Sequence, residues 1–138
     1  MVAQEKETLK VIVDANFFFI PSQFSIDIFE ELSNLLNRRF VAILLSSTKK
    51  ELEGLAESSS LKVCKQALLA LRVAEKARFV NVKKSVDESF DDVIVRVASE
   101  WKSPVGTNDR ELRKRLRNIG APVIFLRQKR RFEMDGAV

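Results

Sequence analysis

The sequence predicts an α/β fold: a three-layer α/β/α sandwich around a central parallel sheet of about five strands. Two observations predict it. Several short runs are wholly apolar rather than alternating, as strands buried on both faces must be. Between them lie segments whose apolar residues recur at helical spacing. The composition agrees, with 46% hydrophobic and 31% charged residues but only 4 Gly and 3 Pro in 138 residues, which excludes a disordered or low-complexity chain. One domain spanning 1–138 is expected at this length.

Leu9–Val13 reads as the first strand, ending at Asp14. A helix is expected over Ser25–Asn37, with Ile28, Phe29, Leu32, Leu35 and Leu36 on one face. Phe40–Leu45 is the second strand. Ser46, Ser47 and Thr48 offer caps for a helix carrying Leu52 and Leu55, broken by Ser58–Ser60. Leu61, Cys64, Ala67, Leu68, Leu71 and Ala74 mark a helix to about Lys76, and Arg78–Val82 is a third strand. Phe90, Val93, Ile94, Val97, Ala98 and Trp101 form a regular helical stripe. Pro104–Thr107 is the fourth strand. Asn108 and Glu111 have capping-box spacing for a helix to about Asn118, ended by Gly120. Pro122–Leu126 is the fifth strand.

Composition narrows the chemistry before any motif does. There is no histidine, which removes His-based triads and His general bases, and a single cysteine, Cys64, which removes disulfides and multi-Cys zinc sites. Carboxylates, hydroxyls, Lys, Arg or an oxygen-held metal remain. No apolar run approaches bilayer thickness, and Met1–Glu7 shows no signal-peptide core, so a cytoplasmic protein without a membrane partner is expected. The charge is uneven. Residues 110–138 hold nine Lys/Arg against three Asp/Glu, and residues 1–109 hold fifteen against sixteen. A basic excess confined to the last fifth of the chain suggests a polyanionic partner, the plain alternative being a solvated helix face.

In parallel α/β sheets ligands bind beyond the carboxyl ends of the strands. Asp14 follows the first strand and Asp109 the fourth; Glu51 lies in the first turns of the helix after the second strand, and Asp91 and Asp92 open the helix before the fourth. Carboxylates gathered on one rim repel each other unless a hard divalent cation, Mg²⁺ or Mn²⁺, neutralises them. Each helix-start acid also has a plain structural reading, since the helix dipole favours acids there. Asp14 has no such explanation. At about 100° per residue, Asp91 flanks the apolar stripe while Asp92 lies nearly opposite it, with Arg96 at i+4 as a surface partner. Glu51 is preferred to Glu53.

The order Val13-Asp14-Ala15-Asn16, Lys50-Glu51-Leu52, Asp91-Asp92-Val93-Ile94 with Ala98, and Gly106-Thr107-Asn108-Asp109 resembles the PIN-domain nucleases. The likeness runs over residues 9–126. The blocks Phe90–Asp92, Thr107–Arg117 and Gly120–Ile124 resemble the subgroup linked to small-subunit ribosomal RNA processing in archaea and eukaryotes, and Pro21–Leu36 fits its archaeal members. The resemblance implies a parallel sheet, Mg²⁺ or Mn²⁺ in an acidic pocket, and hydrolysis of single-stranded RNA. Its acidic set falls on Asp14, Glu51, Asp91 and Asp109, with Asp14, Asp91 and Asp109 as metal ligands, and its supporting polar positions fall on Asn16 and Thr107. Position 15, usually a hydroxyl residue in the family, is Ala15. The extensions and extra cysteines of eukaryotic relatives are absent, so the domain reads as free-standing.

Arg110, Arg113, Lys114 and Arg117 fall at i, i+3, i+4 and i+7 and are expected to carry RNA phosphates on one helix face. Phe17, Phe18 and Phe19 cannot all face one side of a regular element, and a homodimer covering the surplus aromatic surface is expected. Other readings stand beside the rRNA-processing ribonuclease: the toxin ribonuclease of a toxin–antitoxin pair, and a weakly active RNA-binding ribosome-assembly protein. A haloacid-dehalogenase phosphatase is excluded, because its second Asp would stand where Asn16 is. A receiver domain lacks its acidic pair and its central Asp.

Overall fold

The computed structural model describes residues 8–138, so the reading of Met1–Glu7 lies outside the described residues. Among the described residues, six strands form one sheet: β1 (Leu9–Val13), β2 (Phe40–Leu45), β3 (Arg78–Val80), β4 (Val105–Gly106), β5 (Val123–Arg127) and β6 (Arg131–Asp135). Their order is β3-β2-β1-β4-β5-β6. The first five are parallel, as expected, and β6 returns antiparallel to β5. The helices are α1 (Ile20–Phe24), α2 (Ile28–Leu36), α3 (Ser46–Leu55), α4 (Leu61–Ala74), α5 (Phe90–Trp101) and α6 (Arg110–Asn118).

The strand pleat sorts the core into two halves, because successive side chains leave opposite faces. Val11, Val13, Ala42, Leu44 and Ile124 pack on one face with Ile28 and Leu32 of α2, Leu52 of α3 and Ala70 and Ala74 of α4. Ile12, Ile43, Leu45, Val105 and Val123 pack on the other, beneath Val93, Ile94, Val97 and Ala98 of α5 and Leu112 and Leu116 of α6. The chain winds outward from β1 to β3, then crosses to β4 and winds the other way. The carboxyl ends of β1 and β4 therefore flank the switch point, the place where such sheets open a crevice.

Several local expectations are corrected. The helix expected over Ser25–Asn37 is α2, which starts only at Ile28: the preceding α1 ends where Ser25 takes left-handed backbone (φ 56°), and Asp27 starts α2 afresh by accepting the N–H groups of Phe29 and Glu30 at 3.0 and 3.2 Å. Ser46–Thr48 do not cap α3; Leu45 occupies the N-cap. Asn108 does not cap α6, because its Oδ1 accepts the Leu126 N–H at 2.9 Å, and Asp109 takes that place. The strand β6 has alternating Phe132 and Met134, but its turn uses left-handed Gln128 and Lys129 (φ 54° and 59°), without the Gly or Asn that usually announces a hairpin.

The aromatic triplet also differs from expectation. Ala15–Phe19 form a 3₁₀ turn at the end of β1 that buries Phe17 and Phe18 completely and packs Phe19 against the same core. The rings are absorbed within one chain, so the ground for a homodimer falls away. Phe17 stacks obliquely on Phe132 of β6 with ring centres 4.8 Å apart. It also lies so close to Gly106 that a Cβ there would meet the ring at 3.0 Å. Since the ring is fully enclosed it cannot yield, and Gly106→Ala should cost about 1–3 kcal/mol of stability in denaturant unfolding. A midpoint equal to the parent's would show that the packing here is looser than described.

Candidate active site

Asp14 directly follows β1 at the switch-point crevice, and it is 4% exposed. Both of its oxygens are held. Oδ1 accepts the Ala15 N–H at 2.8 Å, and Oδ2 accepts the Thr107 hydroxyl at 2.7 Å. Thr107, fully buried just past β4, in turn accepts the Asp109 N–H at 3.1 Å. Asn16 Oδ1 accepts the Asn108 N–H at 3.2 Å. These bonds stitch the segment after β1 to the segment after β4. With alanine at position 15, the backbone N–H and Thr107 together orient Asp14.

Asp109 spends Oδ1 on the N–H groups of Glu111 and Leu112, at 2.8 and 3.2 Å. Its Oδ2 has no hydrogen-bond partner among the described residues. Asp91 and Asp92 separate as the helical geometry predicts, although the partner of Asp92 differs. Asp92 accepts the Ser89 N–H in a capping box and pairs with Arg115 of α6 at 2.8 Å, which holds its carboxyl below the ordinary range. The expected partner, Arg96, is taken instead by Glu88 at 2.8 Å and Glu100 at 3.9 Å. Asp91, half-buried beside the stripe, is raised by its burial and then by the charge of Asp109.

Glu51 completes the set. Its Oε1 is buried and has no hydrogen-bond partner among the described residues. Burial, then the charges of Asp14, Asp91 and Asp109, pushes its carboxyl up from 4.5 to about 7. Burial likewise pushes Asp14 from 3.8 to about 6, with Asp91 and Asp109 adding to the rise against the bonds from Thr107 and Ala15. The four acids therefore feel one another across the crevice. Among the described residues, no three acids close tightly enough to enclose an ion as the side chains stand. Asp14 spends both oxygens and Asp109 one on hydrogen bonds, and like charges resist closer approach.

The basic residues of α6 divide. Arg113 and Arg117 both pair with Asp135 of β6, at 3.3 and 3.4 Å, and the Arg113 guanidinium lies over the Phe125 ring at 3.8 Å. Arg110 and Lys114 are exposed and have no acid partner among the described residues. Arg110 and Arg113 line a groove of about 310 Å³ with Arg127, Phe125, Thr107 and Asn108, beginning at the edge of the acid cluster. Arg127, the last residue of β5, completes this wall and pairs with Glu133 of β6 at 3.2 Å.

Fold and cluster together define an α/β protein with an acidic centre at the switch point of its sheet. Comparison makes the class specific: the family described as PIN like domain matches residues 11–129, and the chain belongs to that family. Ribonuclease VapC4 of Methanocaldococcus jannaschii is 32% identical over 130 residues, which is 94% of this chain and 98% of that protein. The rRNA-processing protein fcf1 of Schizosaccharomyces pombe is 32% identical over 117 residues, 83% of this chain but 57% of fcf1. The solved structure of the PIN domain endonuclease Utp24 matches with a TM-score of 0.76 at 29% identity, covering 94% of this chain and 92% of that one.

The raised carboxyls fix a pH dependence. Asp14 and Glu51 hold their protons more tightly in the folded protein than in the unfolded chain, so their contribution to stability is full below the ordinary values of 3.8 and 4.5 and is lost as pH rises through about 6 and 7. Asp14→Asn should remove part of that loss. At pH 8 the variant should be more stable than the parent by about 1–2 kcal/mol, and at pH 4 the two should nearly coincide. Parallel pH profiles in thermal melts would refute the crowding of charge at Asp14.

Proposed function

We propose that this chain is a metal-dependent endoribonuclease that hydrolyses phosphodiester bonds of single-stranded RNA and acts in ribosomal RNA processing. The observation that carries the reading is the buried, unpartnered Oε1 of Glu51, facing the charges of three other acids in the crevice. An all-oxygen donor set under mutual repulsion suits a hard cation, which commonly keeps several waters and takes only one or two carboxylates directly. Asp14, Asp91 and Asp109 would hold Mg²⁺ or Mn²⁺, partly through its waters. When bound, such an ion lowers the pKa of a water nucleophile and stabilises charge on the phosphate.

The chain's own residues have separable duties. Thr107 and the Ala15 N–H fix the Asp14 carboxylate so that it need not reorganise. Asp109 anchors α6 with one oxygen and offers the other to the crevice. Glu51, with a carboxyl that titrates near neutrality, is suited to accept or hold a proton of the attacking water. Arg110, which has no acid partner among the described residues, supplies positive charge to the groove beside the cluster, with Arg127 next to it in an ion pair with Glu133; RNA phosphates would lie there and Phe125 would add an aromatic face. The similarity to the rRNA-processing protein fcf1 supports the rRNA-processing assignment, and the similarity to the Utp24 endonuclease supports endonucleolytic cleavage.

The deciding assay incubates labelled single-stranded and hairpin RNAs with the protein in Mg²⁺, Mn²⁺ or EDTA. Cleavage of single strands is expected with either metal and none with EDTA. Asp14→Asn should slow it by about a hundredfold or more. Mn²⁺ should raise the melting temperature of the parent but not of the variant. Cleavage that persists in EDTA would overturn the metal-dependent reading.

A second reading, the ribonuclease of a toxin–antitoxin pair, is supported by the 32% identity to Ribonuclease VapC4 over 94% of this chain. A small antitoxin gene beside the coding sequence would support it, and a ribosomal neighbourhood would oppose it.

A further inference from the structure

A second cleft, of about 350 Å³, opens at the carboxyl ends of β2 and β3, on the opposite side of the acid cluster from the arginine groove. Ser46, Ser47, Lys50, Val82, Lys84 and Phe90 contribute to its wall, and no acid does. The cleft lies at the start of α3, a helix of ten residues whose N-cap, Leu45, makes no side-chain capping bond. Its first turn contains no acidic residue. Ser46 cannot serve as a cap, because its Oγ accepts the Val82 N–H at 2.9 Å and donates to the Val82 carbonyl at 3.1 Å.

Ser47 supplies the independent sign of a ligand. It is 3% exposed and lines the cleft, yet its Oγ has no hydrogen-bond partner among the described residues. A buried hydroxyl left unpaired is costly, and so are lysines near the positive end of a helix dipole, where Lys49 and Lys50 stand. An anion would relieve both. Uncapped N–H groups, a spare hydroxyl and nearby ammonium groups are what a phosphate binds. Ser47 also precedes Glu51 by four residues, so the two share one face of α3 a single turn apart.

We propose that this cleft holds a phosphate of the RNA strand next to the one being cleaved, bound by the α3 N-terminus, Ser47, Lys50 and Lys84. The proposal rests on the ribonuclease reading and extends it, so that RNA crosses the acids between two basic clefts.

Fluorescence anisotropy with a labelled single-stranded RNA in EDTA, across a salt series, tests it without cleavage. Lys50→Gln/Lys84→Gln should bind about tenfold more weakly, with a salt slope shallower by about 1.4, or ~0.7 for each lost contact. Ser47→Val should weaken binding severalfold at unchanged slope, and Ser47→Thr should restore it. Inorganic phosphate at matched ionic strength should compete with RNA on the parent and much less on the double lysine variant. With metal, that variant should show a raised KM and an unchanged kcat. An unaltered slope together with undiminished phosphate competition would overturn the site. Altered binding, with no cleavage by the parent protein in Mg²⁺ or Mn²⁺, would instead overturn the ribonuclease reading and leave the phosphate site standing.

Discussion

The hydrogen bond from Thr107 to Asp14 joins the two halves of a sheet that winds in opposite directions from its middle. A buried carboxylate beside other acids is costly, and here each of its oxygens is met by one fixed donor. The same hydroxyl receives the N–H of Asp109 and so sets where α6 begins. One threonine thereby ties the end of β1, the end of β4 and the N-terminus of α6 into a single arrangement. The position of the acid cluster follows from it.

The rest of the chain secures that junction from behind. Gly106 leaves room for the Phe17 ring, and Phe17 rests on Phe132 of the last strand. The 3₁₀ turn after Asp14 is thus clamped between β4 and β6, although these segments are far apart in sequence. On the opposite face, Arg115 of α6 meets Asp92 at the start of α5. That pairing turns Asp92 away and leaves its neighbour Asp91 for the crevice. Two adjacent aspartates acquire opposite shifts, one lowered by the capping bond from Ser89 and then by Arg115, the other raised by burial and like charge.

Much of this was legible in the sequence because the signals were local and strong. Short, wholly apolar runs rich in β-branched or aliphatic residues, such as Val11–Val13 and Ile43–Leu45, read as strands covered on both faces. The α5 stripe has one geometry, and it separated Asp91 from Asp92. What escaped depended on tertiary competition. Asn108 had the spacing of a cap, but its side chain was claimed by β5, and the cap passed to Asp109. Arg113 and Arg117 sat on one helical face, but Asp135 on an unexpected strand engaged both. The orphaned hydroxyl of Ser47 left no trace in sequence beyond its spacing from Glu51.

The antiparallel β6 has a consequence for how the molecule meets its own copies. Without it the sheet would end at β5, whose Val123–Leu126 backbone would be an open apolar edge able to pair with any extended chain. The β6 strand covers that edge and substitutes one bearing Arg131, Glu133 and Asp135. At the other end, β3 is only three residues long and begins with Arg78. Both margins of the sheet are therefore short or charged, and strand-by-strand growth into larger aggregates is disfavoured at either side.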